Sequence, residues 1–206
     1  MSAKQGLLKW LSAFVAFDIV VLGAILAPQI ISSTPAIDAR LTGALTTFLA
    51  PPVLLLLNTL VPPSLKHALV FWRFRDVLPA HRAFTNYVLS DPRIDSAALR
   101  TRLGEFPTDA SDQQNLWFKL YQRHKTEFAV IDAQRPFLIF RDVASLSFLL
   151  AMLMPVALFA LGSYIAIWSA FLVFACQYIL TALASRQAAV RFVCTVLSLE
   201  SHAHPP

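Results

Sequence analysis

An all-helical integral membrane protein is what this sequence predicts, with four membrane-spanning helices around a small helical cytoplasmic module. Three observations predict it. The composition is 57% hydrophobic and only 14% charged over 206 residues, with a mean hydropathy of +0.60. A soluble domain runs nearer 45–50% apolar and about 25% charged. The charges are also clustered rather than spread: 12 of the 17 Lys and Arg, and nine of the 12 Asp and Glu, fall between residues 62 and 142. Finally, uninterrupted apolar runs such as Leu54 to Leu57 lack the two-residue alternation of a barrel strand. Lipid leaves helices and closed barrels as the spanning structures, so the spans are helical.

The charge gaps place the spans. Asp18 is the only charged residue between Lys9 and Asp38, and none lies between Arg40 and Lys66. About 20 apolar residues cross the roughly 30 Å of hydrocarbon. Each of these gaps therefore holds one span, near 9–30 and near 41–61. The third gap, residues 143–185, is worth about 65 Å of helix, twice the bilayer. Two spans fit it, near 143–161 and 164–185, with Gly162-Ser163 as the turn. The N-terminal stretch has the charged start of a signal peptide in Lys4 and Lys9. Asp18 inside the apolar run and Pro28 after Ala27 favour an uncleaved anchor instead.

Lys and Arg also orient the spans. They sit before the first span, in the segment 62–142, and after the last span at Arg186 and Arg191, whereas the loop near 31–40 has only Arg40. The expected layout is a bacterial inner-membrane protein with both termini cytoplasmic. It divides into a first helix pair (1–61), a cytoplasmic module (62–142), a second pair (143–185) and a helical tail (186–206) with a disordered end. Cys176 and Cys194 are too far apart on one helix for a disulfide and read as small buried residues.

Within the module, Pro62-Pro63 ends the second span, and Ser64 caps a helix reaching Phe71 or Trp72. Pro79 opens a helix through Leu89. Asp95 caps a third helix that Gly104 closes. After a turn at 105–109, Ser111 or Asp112 starts a fourth, with Leu116 and Leu120 on its apolar face. A fifth runs from about Thr126 to Arg135, and Pro136 opens the helix that leads to the third span. The tail keeps helical apolar spacing through Val190, Val193, Val196 and Leu197, which predicts that it packs on the module.

Several residues stand out chemically. Asp18 is an ionisable group in mid-span, which costs several kcal/mol unless paired, protonated or hydrated. It is expected to face Asn58 or a wet interior, or to hold a helix interface. Pro51-Pro52 would kink or break the second span, and Pro155 poses the same question in the third. The segment 70–75 mixes aromatics and bases as an interfacial anchor does. Trp72, Arg73, Arg75, Asp76, His81, Arg82, Arg141 and Asp142 are the candidates for coupling module to membrane, with ion pairs expected at Arg75–Asp76 or Arg141–Asp142. Arg75 and His81 also have the Arg-x5-His spacing of HEPN ribonucleases, although Pro79 interrupts the helix that such a domain uses. Asn115, Trp117, Tyr121 and Arg123 are the ligand-contact candidates, suited to stacking on a base or to an amphipathic face over anionic lipid. His202 and His204 alone make no metal site.

The stretches 70–84, 91–95, 106–109, 115–118 and 140–142 together resemble a family of small uncharacterised bacterial membrane proteins with two spans on each side of a charged insert. That resemblance covers most of the chain. By looser analogy of architecture, it is similar to transmembrane effectors of anti-phage systems, including retrons and cyclic-nucleotide signalling, which damage the inner membrane when triggered. The expected function is therefore non-enzymatic and needs no cofactor or metal. It is an oligomeric effector or channel-like protein in the lipid bilayer, with a protein or nucleotide trigger at the module. The runners-up are a scaffold or accessory subunit of a larger complex and a membrane-tethered HEPN-like ribonuclease. Direct evidence for nucleic-acid binding is absent from the sequence.

Overall fold

The computed structural model describes residues 7–32, 56, 58–160, 162 and 164–203. All regular structure among them is helical. Among the described residues three helices are long and apolar enough to cross a membrane. They are α1 (Leu7–Ser32), α5 (Phe128–Ala160) and α6 (Tyr164–His202). Between α1 and α5 lie the shorter α2 (Pro63–Phe71), α3 (Ser96–Leu103) and α4 (Ala110–His124). Most of the span expected at 41–61, including Pro51 and Pro52, lies outside the described residues. So does His204.

The chain divides into two compact units. One comprises Gly6–Lys66 and Ile139–Ala182. Its core is Leu11 and Val15 of α1, Val143, Leu146, Leu150, Ala151 and Leu158 of α5, and Ala166, Ala170 and Phe174 of α6. The spacing is helical, so each helix commits one face. Small residues dominate the α6 face, as expected where helices in lipid approach closely. The other faces are exposed and apolar, with Trp10, Phe17, Val156, Ile165, Trp168 and Leu180 among them. At the α5–α6 turn Gly162 takes φ 72°, which glycine adopts without a Cβ penalty, and its N–H bonds the Phe159 carbonyl at 3.1 Å.

The second unit comprises His67–Leu138 with Leu183–Pro206, so the chain's tail shares a core with the module. Phe84, Leu99, Leu120, Val130, Val196 and Leu197 are buried there together. Trp117 stacks on Tyr121 at 5.6 Å, and Phe192 of α6 meets both rings edge-on at 5.3 and 5.5 Å. Such pairs contribute about 1 kcal/mol each beyond area burial. The Trp117 indole N–H also donates to the Val193 carbonyl at 3.4 Å.

The helix caps show where local chemistry decided. Asp95 accepts from the N–H groups of Ala97 and Ala98 at 3.0 and 2.9 Å, and Gly104 closes α3 at φ 78°. The start of α4 corrects the expectation of Ser111 or Asp112. Asp109 is the cap, accepting from the N–H groups of Ser111 and Asp112, and the helix begins at Ala110. These bonds hold the Asp109 carboxyl below its ordinary range, the Ser111 hydroxyl most of all.

Three further expectations are corrected. The helix expected from Pro79 to Leu89 is a 3-10 turn (Pro79–Arg82), a π turn (Ala83–Tyr87) and an α turn (Val88–Ser90). The cause is tertiary: the side-chain carbonyl of buried Gln113 accepts from the N–H groups of Phe84 and Thr85 at 3.1 and 3.2 Å. Those donors are diverted from the regular ladder. Gln113→Leu removes this acceptor, and a loss of about 2 kcal/mol is expected in denaturant unfolding of the purified protein. Next, Pro136 does not start a helix, because α5 passes through it and through Pro155. Burial of Val130, Ala133 and Phe137 around Pro136 offsets the lost backbone bond. Last, the two cysteines are free, but only Cys194 is buried; Cys176 is exposed on α6.

Candidate functional site

Two polar constellations interrupt the apolar framework. The first belongs to the membrane unit. Asp18 is seven residues beyond Leu11 and three beyond Val15, so helical spacing carries it onto the packed face of α1, where it is 3% exposed. Its Oδ1 accepts from the Gln177 side-chain amide of α6 at 2.7 Å. Its Oδ2 is buried with no hydrogen-bond partner among the described residues, as are the Asn58 Oδ1 and the Ser145 hydroxyl. Asn58 is 1% exposed. Of the alternatives expected for Asp18, a helix–helix hydrogen bond is present, made with Gln177, and no hydrogen bond joins it to Asn58 among the described residues. Buried groups of this kind are costly in lipid unless paired, protonated or hydrated.

At the edge of this unit lies an ion cluster. Asp142 Oδ1 receives the Lys66 ammonium at 3.2 Å and the Arg141 guanidinium through Nη2 at 2.9 Å and Nε at 3.1 Å. Lys66 and Asp142 are both buried. The Arg141–Asp142 pair is one of the two alternatives expected, and Lys66 is its unforeseen third member. A lysine four residues beyond the Pro62-Pro63 break, in an otherwise apolar helix, was the signal for it.

The second constellation belongs to the module. The helix α2 ends at Phe71, and the chain turns sharply, with Trp72 at φ 53° and Asp76 at φ 45°. Positive φ is uncommon for non-glycine residues and is concentrated at functional sites. The Trp72 ring lies 3.7 Å from the Arg186 guanidinium carbon, and Arg186 Nε donates to the Val70 carbonyl at 2.6 Å. Arg73, Arg82 and Tyr87 line the same small cavity as Arg186. Burial pushes the Tyr87 phenol above its ordinary range, while the Arg82 and Arg73 charges act in the opposite direction. Phe74, 90% exposed, and Trp72 form the outer surface of this turn.

The nuclease-like pair is not assembled. His81 Nδ1 lies 3.1 Å from the Leu78 carbonyl, and its Nε2 lies 3.8 Å from Asp76. Among the described residues no contact joins Arg75 to His81 or to Asp76, and Arg75 is exposed. Of the ligand-contact candidates, Trp117 is buried in the aromatic cluster and Tyr121 is half-buried with it, its hydroxyl donating to Gln134 at 3.4 Å. Asn115 is exposed on α4. Arg123 reaches Glu200 at 3.4 Å, beside His124 at 2.7 Å and Arg102 at 3.6 Å. Glu200 is the sole acidic residue of the tail. Its side chain, 4% exposed, ties α6 to α3 and α4. Trp117 and Tyr121 thus belong to the module's aromatic cluster, and Arg123 belongs to the ion cluster at Glu200.

No protein-family model, characterised protein or solved structure matches this chain.

Proposed function

We propose that the protein is a four-span inner-membrane protein of bacteria, with its termini and module cytoplasmic. In this reading it acts non-enzymatically, as an oligomeric effector or channel-like protein whose module receives a protein or nucleotide trigger. Its output is perturbation of the membrane, the kind of terminal step used in anti-phage defence.

One observation carries this reading above a merely anchored domain: Asp18 is buried mid-helix with one carboxylate oxygen on Gln177 and the other without a partner among the described residues. Apolar packing alone would place a leucine there. A half-satisfied carboxylate instead suits a seam that water or an ion enters, or that a second copy completes. The buried Asn58 and Ser145 add further unpartnered oxygens in the same unit. In the same reading the Arg73–Arg82 segment couples the module to the bilayer.

The test is overexpression with a membrane-potential dye. The wild-type chain is expected to depolarise the cells and slow growth. Asp18→Leu, matched for membrane level, is expected to lower depolarisation about tenfold, and Asp18→Asn to retain part of it. An unchanged potential with wild-type protein would refute the pore or effector role. Co-purification of a stoichiometric partner from such cells would favour an accessory subunit instead.

A further inference from the structure

The geometry points to a phosphate-binding site in the module, formed by the guanidinium groups of Arg73, Arg82 and Arg186 with the Tyr87 hydroxyl. These four residues line one cavity of about 190 Å³, closed on its apolar side by Phe71, Val77, Pro79 and Val190. Three arginines and no carboxylate line it. Among the described residues neither Arg73 nor Arg82 has an acidic partner. The one acid of the adjoining turn, Asp76, is directed to His81. Arg93, by contrast, pairs with Asp91, and Arg102 and Arg123 pair with Glu200. Several arginines around one cavity repel one another less when an anion is present, and the planar fork of a guanidinium matches the oxygens of a phosphate.

The site is also built rather than incidental. Arg186 is oriented twice over, by the Val70 carbonyl and by the Trp72 ring. The two positive-φ residues, Trp72 and Asp76, bracket the turn that presents Arg73. Such strain persists where surrounding contacts impose it, and it clusters at ligand clamps. In the sequence Arg186 directly follows the charge-free stretch 143–185. A phosphate on an anionic lipid headgroup and a phosphate on a soluble metabolite share the required chemistry. The inference goes beyond the effector reading and stands without it, since binding is read with no measurement of conduction.

The full chain is purified in neutral detergent, and two probes are compared. Native mass spectrometry counts phosphatidylglycerol retained against phosphatidylcholine. Tryptophan fluorescence, to which Trp72 over Arg186 contributes, follows titration with inorganic phosphate and pyrophosphate. At least one probe is expected to bind. Arg73→Gln and Arg82→Gln should each weaken it about tenfold, the scale of one charge-assisted contact. Arg73→Lys, which keeps charge but loses the fork, should recover part. Lys119→Gln, an equal charge change on exposed α4, should alter nothing. Lipid-only retention assigns a headgroup site, and a response to free phosphate assigns a soluble ligand. Binding of neither, or equal weakening by Lys119→Gln, overturns the proposal. Arg73 is exposed, so its variants report even if Arg82→Gln fails to fold.

Discussion

Replacing Glu200 with alanine should release the tail from the module, at a cost of about 3 kcal/mol. The carboxylate is buried and meets three cationic partners, His124 at 2.7 Å, Arg123 at 3.4 Å and Arg102 at 3.6 Å. Removing it leaves Arg102 and His124 half-buried beside one another with no acid between them. Arg102 would keep its bonds to the Glu200 and Ala203 carbonyls, which limits the loss. Glu200→Gln keeps the shape and some hydrogen bonding, so about half the effect is expected. Denaturant unfolding measures the stability. Limited trypsin digestion at exposed Arg191 reports whether the helix has come away. A Glu200→Ala protein as stable and as trypsin-resistant as wild type would show that the apolar contacts of Phe192, Val196 and Leu197 suffice alone.

The second large effect is expected at Asp142. Asp142→Ala strands the Lys66 ammonium in a buried position and deprives Arg141 of its nearest acid. Breaking a buried pair from one side costs about 3 kcal/mol or more, because an uncompensated charge remains. Removing both members is a different matter. Lys66→Met with Asp142→Leu exchanges the pair for apolar contact, and recovery of most of the lost stability is expected. A double-variant cycle by thermal unfolding in detergent separates the two. Additive losses would mean that the pair is not energetically coupled. The same cycle applied to Asp18 and Gln177 asks whether the mid-helix bond stabilises the unit or whether Asp18 is kept for another task.

Local signals in the sequence were sufficient where the deciding atoms lie within a few residues. Charge gaps located α1, α5 and α6, because excluding charge from lipid is a property of composition. The Asp95 cap and Gly104 stop were legible for the same reason. The start of α4 was misplaced by one or two residues because Ser111 and Asp112 are themselves capping residues, and spacing alone does not rank them against Asp109. Pro136 misled because proline's local cost was offset by burial that only the packed helix reveals.

The candidate sites were half legible. Asp18 stood out as a charge in an apolar run, and its burial follows from helical spacing with Leu11 and Val15. Its partner did not, since Gln177 is 159 residues away along the chain. Trp117 and Tyr121 looked like ligand contacts because stacking surfaces and core aromatics have the same composition; the edge-on approach of Phe192 made them core.

By itself, then, the sequence determined that the chain is helical, that it carries apolar helices long enough for a membrane, and that its charge is concentrated in one segment; it predicted four spans, of which the described residues contain three candidates. Those are sums over neighbouring residues. Only the tertiary structure decided which charges pair. It joined Glu200 to α3 and α4, gave Lys66 to Asp142, and diverted the backbone of Phe84 and Thr85 to Gln113. It also gathered Arg73, Arg82 and Arg186 around one cavity. Hydrogen bonds and ion pairs act over a few ångströms in space, and separation along the chain does not encode that distance.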